Sequence, residues 1–282
     1  MSRKSAVIGP GRIALVTGGS SGIGLAVAKE LARAGCQVWM AARHEGRLAA
    51  ALDQVNAARQ SDAQRCGILT ADVSDPAQAF DAVEQVVGQV GAPHLLVNSA
   101  GVARPGYVHQ LDLQDYRWMM EVNFFGTLHM VKAVLPGMLA RRLGHIVNIS
   151  SVGGFLGFFG YSAYAASKFA VSGFTEVLRA ELKPHGVGVS IVFPPNVDTP
   201  QLAYESQFRP SETRALVEGT PVLSPEVVAA AILRGVSRRQ YAILPGVISK
   251  ALYGLIDGTS GLARPVMDWM AARGRRSPGQ NE

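Results

Sequence analysis

Ile13-Ala14-Leu15-Val16-Thr17-Gly18-Gly19-Ser20-Ser21-Gly22-Ile23-Gly24 begins as an apolar run and ends in a turn holding four glycines. From Gly22 to Ala34 the apolar residues recur at helical spacing, and Gly35 closes the run. A strand that turns through glycines directly into a helix suits one kind of ligand. The glycines let the backbone bend sharply and come close to a bound group. The first N–H groups of the helix have no intrahelical partners, so a pyrophosphate is stabilised there.

The alternation continues along the chain. Gln37 to Ala42 reads as a strand, Glu45 to Arg59 as a helix and Gly67 to Ala71 as a strand. Ala77 to Val90 is helical, and His94 to Asn98 and His145 to Ser150 are strands. Ala163 to Leu182 forms a helix closed by Pro184, and Gly188 to Phe193 a sixth strand. Tyr116 to Arg142 is one long helical stretch, expected to kink or break near Pro136. Nearly wholly apolar strands separated by helices predict a parallel sheet covered on both faces. Right-handed crossovers then make it a single-domain, doubly wound, Rossmann-like α/β fold, with ligands beyond the carboxyl ends of the strands. Residues 1–11 read as an N-terminal extension and 12–245 as the dinucleotide-binding and catalytic domain. Residues 246–282 read as an apolar helix with a basic tail.

The 282 residues are 48% hydrophobic and 17% charged, which excludes a disordered chain. The net charge of +6 is scattered until Arg273, Arg275 and Arg276, and no helix interleaves basic with aromatic residues, which argues against a nucleic-acid partner. Two cysteines, Cys36 and Cys66, supply no disulfide framework and suit a reducing compartment, hence a cytoplasmic protein. No run reaches the ~18 apolar residues of a membrane span. The nearest approach, Tyr241 to Ile256, is interrupted by Pro245, Gly246, Lys250 and Gly254. With Tyr253, Trp269 and the basic tail it predicts either peripheral contact with a membrane or a helix packed in an oligomer. His94, His109, His129, His145 and His185 show no ligand spacing, so no metal is expected.

Tyr164 and Lys168 stand at i and i+4, on one face of the predicted helix. A cation about 5 Å from a phenol, at an effective dielectric of about 20, contributes roughly 3 kcal/mol toward ionising it. Tyr164 could then give a proton to a carbonyl oxygen as hydride arrives at the carbon. Ser151, thirteen residues earlier at the end of a strand, could orient that carbonyl; Ser150 points the opposite way by strand alternation. After the second strand no carboxylate stands ready for a ribose diol. Ala42 is followed by Arg43, with Arg47 one turn into the next helix, and guanidinium groups pair with a 2′-phosphate. That pattern predicts NADPH.

The Thr17-Gly18-x-x-x-Gly22-x-Gly24 spacing, together with Ser151, Tyr164 and Lys168 in order, resembles the short-chain dehydrogenase/reductase family. The resemblance implies cofactor contacts from Gly18, Ser20, Ser21, Gly22, Ile23 and Gly24, and from Asp72 and Val73 at the adenine. It implies further contacts from Asn98, Ala100 and Gly101 of Asn98-Ser99-Ala100-Gly101, and from Tyr164 and Lys168 at the nicotinamide ribose. Pro194, Val197 and Thr199 follow the sixth strand where the family holds the carboxamide, with Pro195 replacing its usual Gly. Asn123, in Glu121-Val122-Asn123-Phe124-Phe125-Gly126-Thr127, matches the family Asn of a proton relay through water and lysine. Residues 144–228, including Phe193-Pro194-Pro195-Asn196-Val197-Asp198-Thr199 and Arg209-Pro210-Ser211-Glu212-Thr213, are most similar to 3-ketodihydrosphingosine reductases. The resemblance implies a long-chain ketone substrate, a sphingoid-base precursor, and a homo-oligomer with Phe169, Phe174 and Val177 outward on the Tyr164 helix. A 3-oxoacyl thioester, a steroid or a small aliphatic ketone is the alternative substrate.

Overall fold

The computed structural model describes residues 7–217 and 219–257; Trp269 and the basic tail lie outside the described residues. Its strands are β1 (Ile13–Thr17), β2 (Gln37–Ala42), β3 (Gly67–Thr70), β4 (Leu95–Asn98), β5 (Gly144–Ile149), β6 (Val187–Val192) and β7 (Ala242–Ile243). All pair in parallel, in the order β3-β2-β1-β4-β5-β6-β7. The helices are α1 (Gly22–Arg33), α2 (Glu45–Ala57), α3 (Pro76–Val90), α4 (Leu113–Met120), α5 (Gly126–Ala140) and α6 (Ser162–Leu182). They continue as α7 (Pro200–Ser206), α8 (Ser211–Val217), α9 (Pro225–Ser237) and α10 (Gly246–Asp257). Short β7, with α7, α8 and α9, adds to the elements read from the sequence, and α10 falls within the apolar helix read from residue 246.

The strand pleat divides the core. Ala14 and Val16 of β1 pack into the layer with Val27, Leu31 and Ile232. Ile13 and Leu15 pack into the opposite layer with Val83, Met130 and Ile146. Each strand is apolar on both sides because helices cover both faces. The chain runs outward from β1 to β3 and then returns to β4, so the loops after β1 and β4 part at the switch point. Thr17 ties that crevice together: its hydroxyl accepts from the Ser99 and Ala100 N–H groups, each at 3.1 Å.

One expectation is corrected. The 116–142 stretch stays helical from α4 through a single π-helical turn at Glu121–Phe125 into α5, and Pro136 sits inside α5 without ending it. Met130, Val131, Val134 and Met138 are buried on either side of the proline, and this packing holds the helix despite the lost N–H. The π turn has Asn123 at its centre, and such turns cluster at functional sites. Among the described residues no helix is long and apolar enough to cross a membrane.

His145 on β5 is buried, and its Nε2 bonds the Ser190 hydroxyl at 2.8 Å; that hydroxyl in turn donates to the Gln240 carbonyl. Burial pulls its pKa down to about 3. Between its ordinary value near ~6.5 and about 3 the unfolded chain takes up a proton that the folded chain refuses, so stability falls as pH falls. Urea unfolding is expected to lose about 3 kcal/mol to this histidine between about pH 6.5 and about pH 4. A His145→Gln variant should show a flatter slope over that range.

Candidate active site

The carboxyl ends of the strands open into a cavity of about 790 Å³. Gly18, Ser20, Ser21, Gly22 and Ile23 form one wall. Gly18 has φ +65°, and a Cβ there would stand 2.8 Å from the Ala100 nitrogen; at Gly24 a Cβ would stand 2.3 Å from the Gly18 carbonyl oxygen. Only glycine permits this closeness of loop, helix and β4. The α1 N-cap, Ser21, makes no side-chain cap bond, and no acidic residue stands in the first turn. By contrast the caps of α3, α7 and α9 (Asp75, Thr199 and Ser224) accept from their helices. The α1 end is thus left open to an external anion.

Arg43 and Arg47 are exposed and line the far end of the cavity with His44, and Asp72 and Val73 line it after β3. Ala100, Gly101, Pro194, Val197 and Thr199 complete the middle. Gly24, Asn98 and Asn123 stand behind the residues that line the cavity. Gly24 lets α1 approach Gly18. Asn98 is buried in the sheet, where its Nδ2 donates to Asn148 Oδ1 at 2.9 Å; Asn148 in turn donates to Thr175 of α6. Asn123 is fully buried, and its side chain is committed three times: Oδ1 accepts from Val102 N (2.8 Å), and Nδ2 donates to Val102 O (2.9 Å) and Ser167 Oγ (2.8 Å). These bonds lock the β4 loop to α6 beside Tyr164, whose carbonyl accepts from Ser167 Oγ at 2.7 Å. Replacing Asn123 by Ala strands these buried partners and is expected to cost about 2–4 kcal/mol in urea unfolding.

Ser151, Tyr164 and Lys168 converge on the cavity. Ser150 is turned away: its hydroxyl donates to the Lys168 carbonyl and meets Ser172. Ser151 Oγ accepts from Gly153 N at 3.1 Å and hydrogen-bonds the Tyr164 hydroxyl. Lys168 Nζ donates to the Ile149 carbonyl at 2.9 Å and lies over the Tyr164 ring, 5.7 Å from its centre. The expected acidification of the phenol is reversed in the folded protein. Burial, then the charge of Glu205, holds Tyr164 above its usual range, against the opposing Ser151 bond. Burial pulls Lys168 down to about 8. Desolvation of both groups outweighs an attraction that reaches the ring face.

The apolar end of the cavity is built by Trp118, Phe158, Leu202, Val217, Ile248 and Leu252. The aromatic loop before Tyr164 divides: Phe158 lines the cavity, Phe159 packs edge-on against Tyr107, and Phe155 packs on Phe193 and on Tyr253 of α10. α10 therefore closes the cavity through Ile248 and Leu252, while Val247 and Leu255 remain exposed. On α6, Phe169 and Val177 face outward, and Phe174 is covered by Phe124.

Residues 12–209 match the family model described as short chain dehydrogenase. The chain belongs to that family. The 3-ketodihydrosphingosine reductase of Bos taurus is 38% identical over 80% of this chain and 68% of its own. The structure of a single-residue variant of actinorhodin polyketide ketoreductase with NADPH superposes with a TM-score of 0.74 at 32% identity, covering 82% of this chain and 94% of that one. A short-chain dehydrogenase/reductase from Burkholderia phymatum in complex with NAD has a TM-score of 0.75 at 29% identity, covering 98% of each chain. This short-chain dehydrogenase carries one group that sequence reasoning misses. Glu205, Arg209 and Tyr161 form a buried cluster beside Tyr164: Arg209 Nη2 meets Glu205 Oε1 at 2.9 Å, and Arg209 Nε donates to Tyr161 Oη at 2.9 Å. The i,i+4 spacing of Glu205 and Arg209 is visible in the sequence; their burial is not.

Proposed function

We propose that this chain reduces the ketone of 3-ketodihydrosphingosine, a long-chain amino ketone, to the secondary alcohol with NADPH. The observation that carries the reading is the meeting of Ser151, Tyr164 and Lys168 in one cavity whose two ends differ, one bearing Arg43 and Arg47 and the other apolar. The name of the Bos taurus relative supports the substrate, and the NADPH-bound ketoreductase supports the cofactor.

When bound, NADPH would supply the hydride that the carbonyl carbon accepts. The open N-terminus of α1 would hold its pyrophosphate, and Arg43 and Arg47 would pair with the 2′-phosphate, which a carboxylate at the end of β2 would repel. Ser151 donates a hydrogen bond to the ketone oxygen and fixes its direction. Tyr164 transfers its proton to that oxygen as negative charge builds there. The raised phenol suits this direction, because the resting side chain is neutral and carries the proton to be given. Lys168 stabilises the phenolate that remains. The apolar end takes the alkyl chain, with α10 as part of its wall. The outward face of α6, with Phe169 and Val177, is the proposed contact between copies of the chain.

The test is NADPH oxidation with 3-ketodihydrosphingosine beside an acetoacetyl thioester. The proposal requires faster turnover of the amino ketone; preference for the thioester rejects the sphingoid substrate.

A further inference from the structure

The substrate proposed above carries an amino group on the carbon next to its ketone, and the cavity has a side chain suited to it. Among the described residues two carboxylates line the cavity, Asp72 and Glu205. Asp72 stands after β3, at the cofactor end, with its Oδ1 taken up by the Ser74 N–H and hydroxyl. Glu205 stands at the catalytic end. It is 8% exposed, lines the cavity with Tyr161 and Tyr164, and is held from behind by Arg209, which is not in the cavity wall.

We propose that Glu205 is the subsite for the substrate's ammonium group, presented to the cavity by Arg209 and Tyr161 so that an amino ketone is chosen over a plain ketone. The proposal rests on the functional reading above. A ketone oxygen placed on Ser151 and Tyr164 puts the adjacent carbon, and its nitrogen, within a few bonds of the phenol. The Tyr161 ring spans that region, 5.8 Å from the Tyr164 ring and edge-on to it. The carboxylate is fixed before any ligand arrives. Asn196 Oδ1 accepts from Arg209 at 3.4 Å, Thr213 of α8 donates to the Phe159 carbonyl at 2.8 Å, and Gly160 turns at φ +76° beside it. A carboxylate held by a buried network keeps its direction and is stabilised further when a cation reaches its open side. The reach of its charge to Tyr164 agrees with this placement: Glu205 is the largest influence on that phenol after burial. An ammonium bound there would also relieve this effect and ease proton release.

The test compares kcat/KM for 3-ketodihydrosphingosine with that for its deaminated analogue, the same chain and ketone without nitrogen. Wild type is expected to prefer the amino ketone by about tenfold or more, the usual worth of a charge-assisted hydrogen bond. Glu205→Gln should erase most of that preference, read as the ratio of kcat/KM for the two ketones in the same variant, so that any change at Tyr164 common to both cancels. Because the lone substitution leaves Arg209 buried without its partner, Glu205→Gln/Arg209→Met supplies the same comparison without an orphaned charge. Equal turnover of the two ketones by wild type, or an unchanged ratio in the variants, overturns the subsite alone. Failure of wild type to reduce either ketone overturns the proposed function, and the subsite with it.

Discussion

A Tyr164→Phe variant is expected to lose about 10³-fold in kcat for ketone reduction while binding NADPH within about threefold of wild type. The substitution removes one oxygen and leaves the ring, so the contact with the Lys168 ammonium and the edge-on packing of Tyr161 survive. What disappears is the proton that must reach the nascent alkoxide. Ser151 can donate a hydrogen bond to that oxygen, but an aliphatic hydroxyl is a far weaker acid than a phenol and does not give up its proton. Tyr161 cannot substitute: its hydroxyl is tied to the buried Arg209–Glu205 pair, accepting from Arg209 Nε at 2.9 Å. Steady-state rates with 3-ketodihydrosphingosine and a fluorescence titration of NADPH read the two quantities separately. A variant that keeps a tenth of the wild-type kcat would remove Tyr164 from the role of acid.

The second large effect concerns cofactor choice. Arg43→Ala/Arg47→Ala should lower kcat/KM for NADPH by about 100-fold, with NADH changed by less than about threefold, from the loss of two charge-assisted contacts. Both side chains are exposed, so each contributes at the lower end of that range. The same exposure predicts that NADPH binding by wild type weakens as salt is raised, and that the double variant shows little of this dependence. His44 lies between them in the same wall and is left in place as an internal control for folding of the loop. A parallel loss with both cofactors would mean that the arginines hold the loop rather than the 2′-phosphate.

Much of the site is legible in advance because it is written in short-range spacing. The glycine turn forces β1 into α1 within a few residues, and that alone places an open helix end at the cofactor wall. Ser150 and Ser151 are separable because neighbouring strand residues point to opposite sides, and the structure turns one onto Ser172 and the other toward Tyr164. Asn123 is found by its surroundings in the chain, but its burial and side-chain partners are not. Whether an amide faces a cavity or three protein partners depends on a loop after β4 that is about twenty residues away in sequence. Pro136 misleads for a related reason: a proline breaks an isolated helix, whereas apolar packing on both sides of it keeps α5 intact.

From sequence, then, come the doubly wound sheet, the position of the phosphate turn, the absence of an acid after β2 and the i,i+4 alignment of Tyr164 with Lys168. All are set by contacts along one strand or one helical turn. Tertiary structure alone decided that the phenol is held up rather than down, that Glu205 is buried beside it, and that α10 returns to close the apolar end. These depend on which distant segments exclude water from a given atom. Desolvation sums over the whole surrounding shell, and no local spacing encodes it.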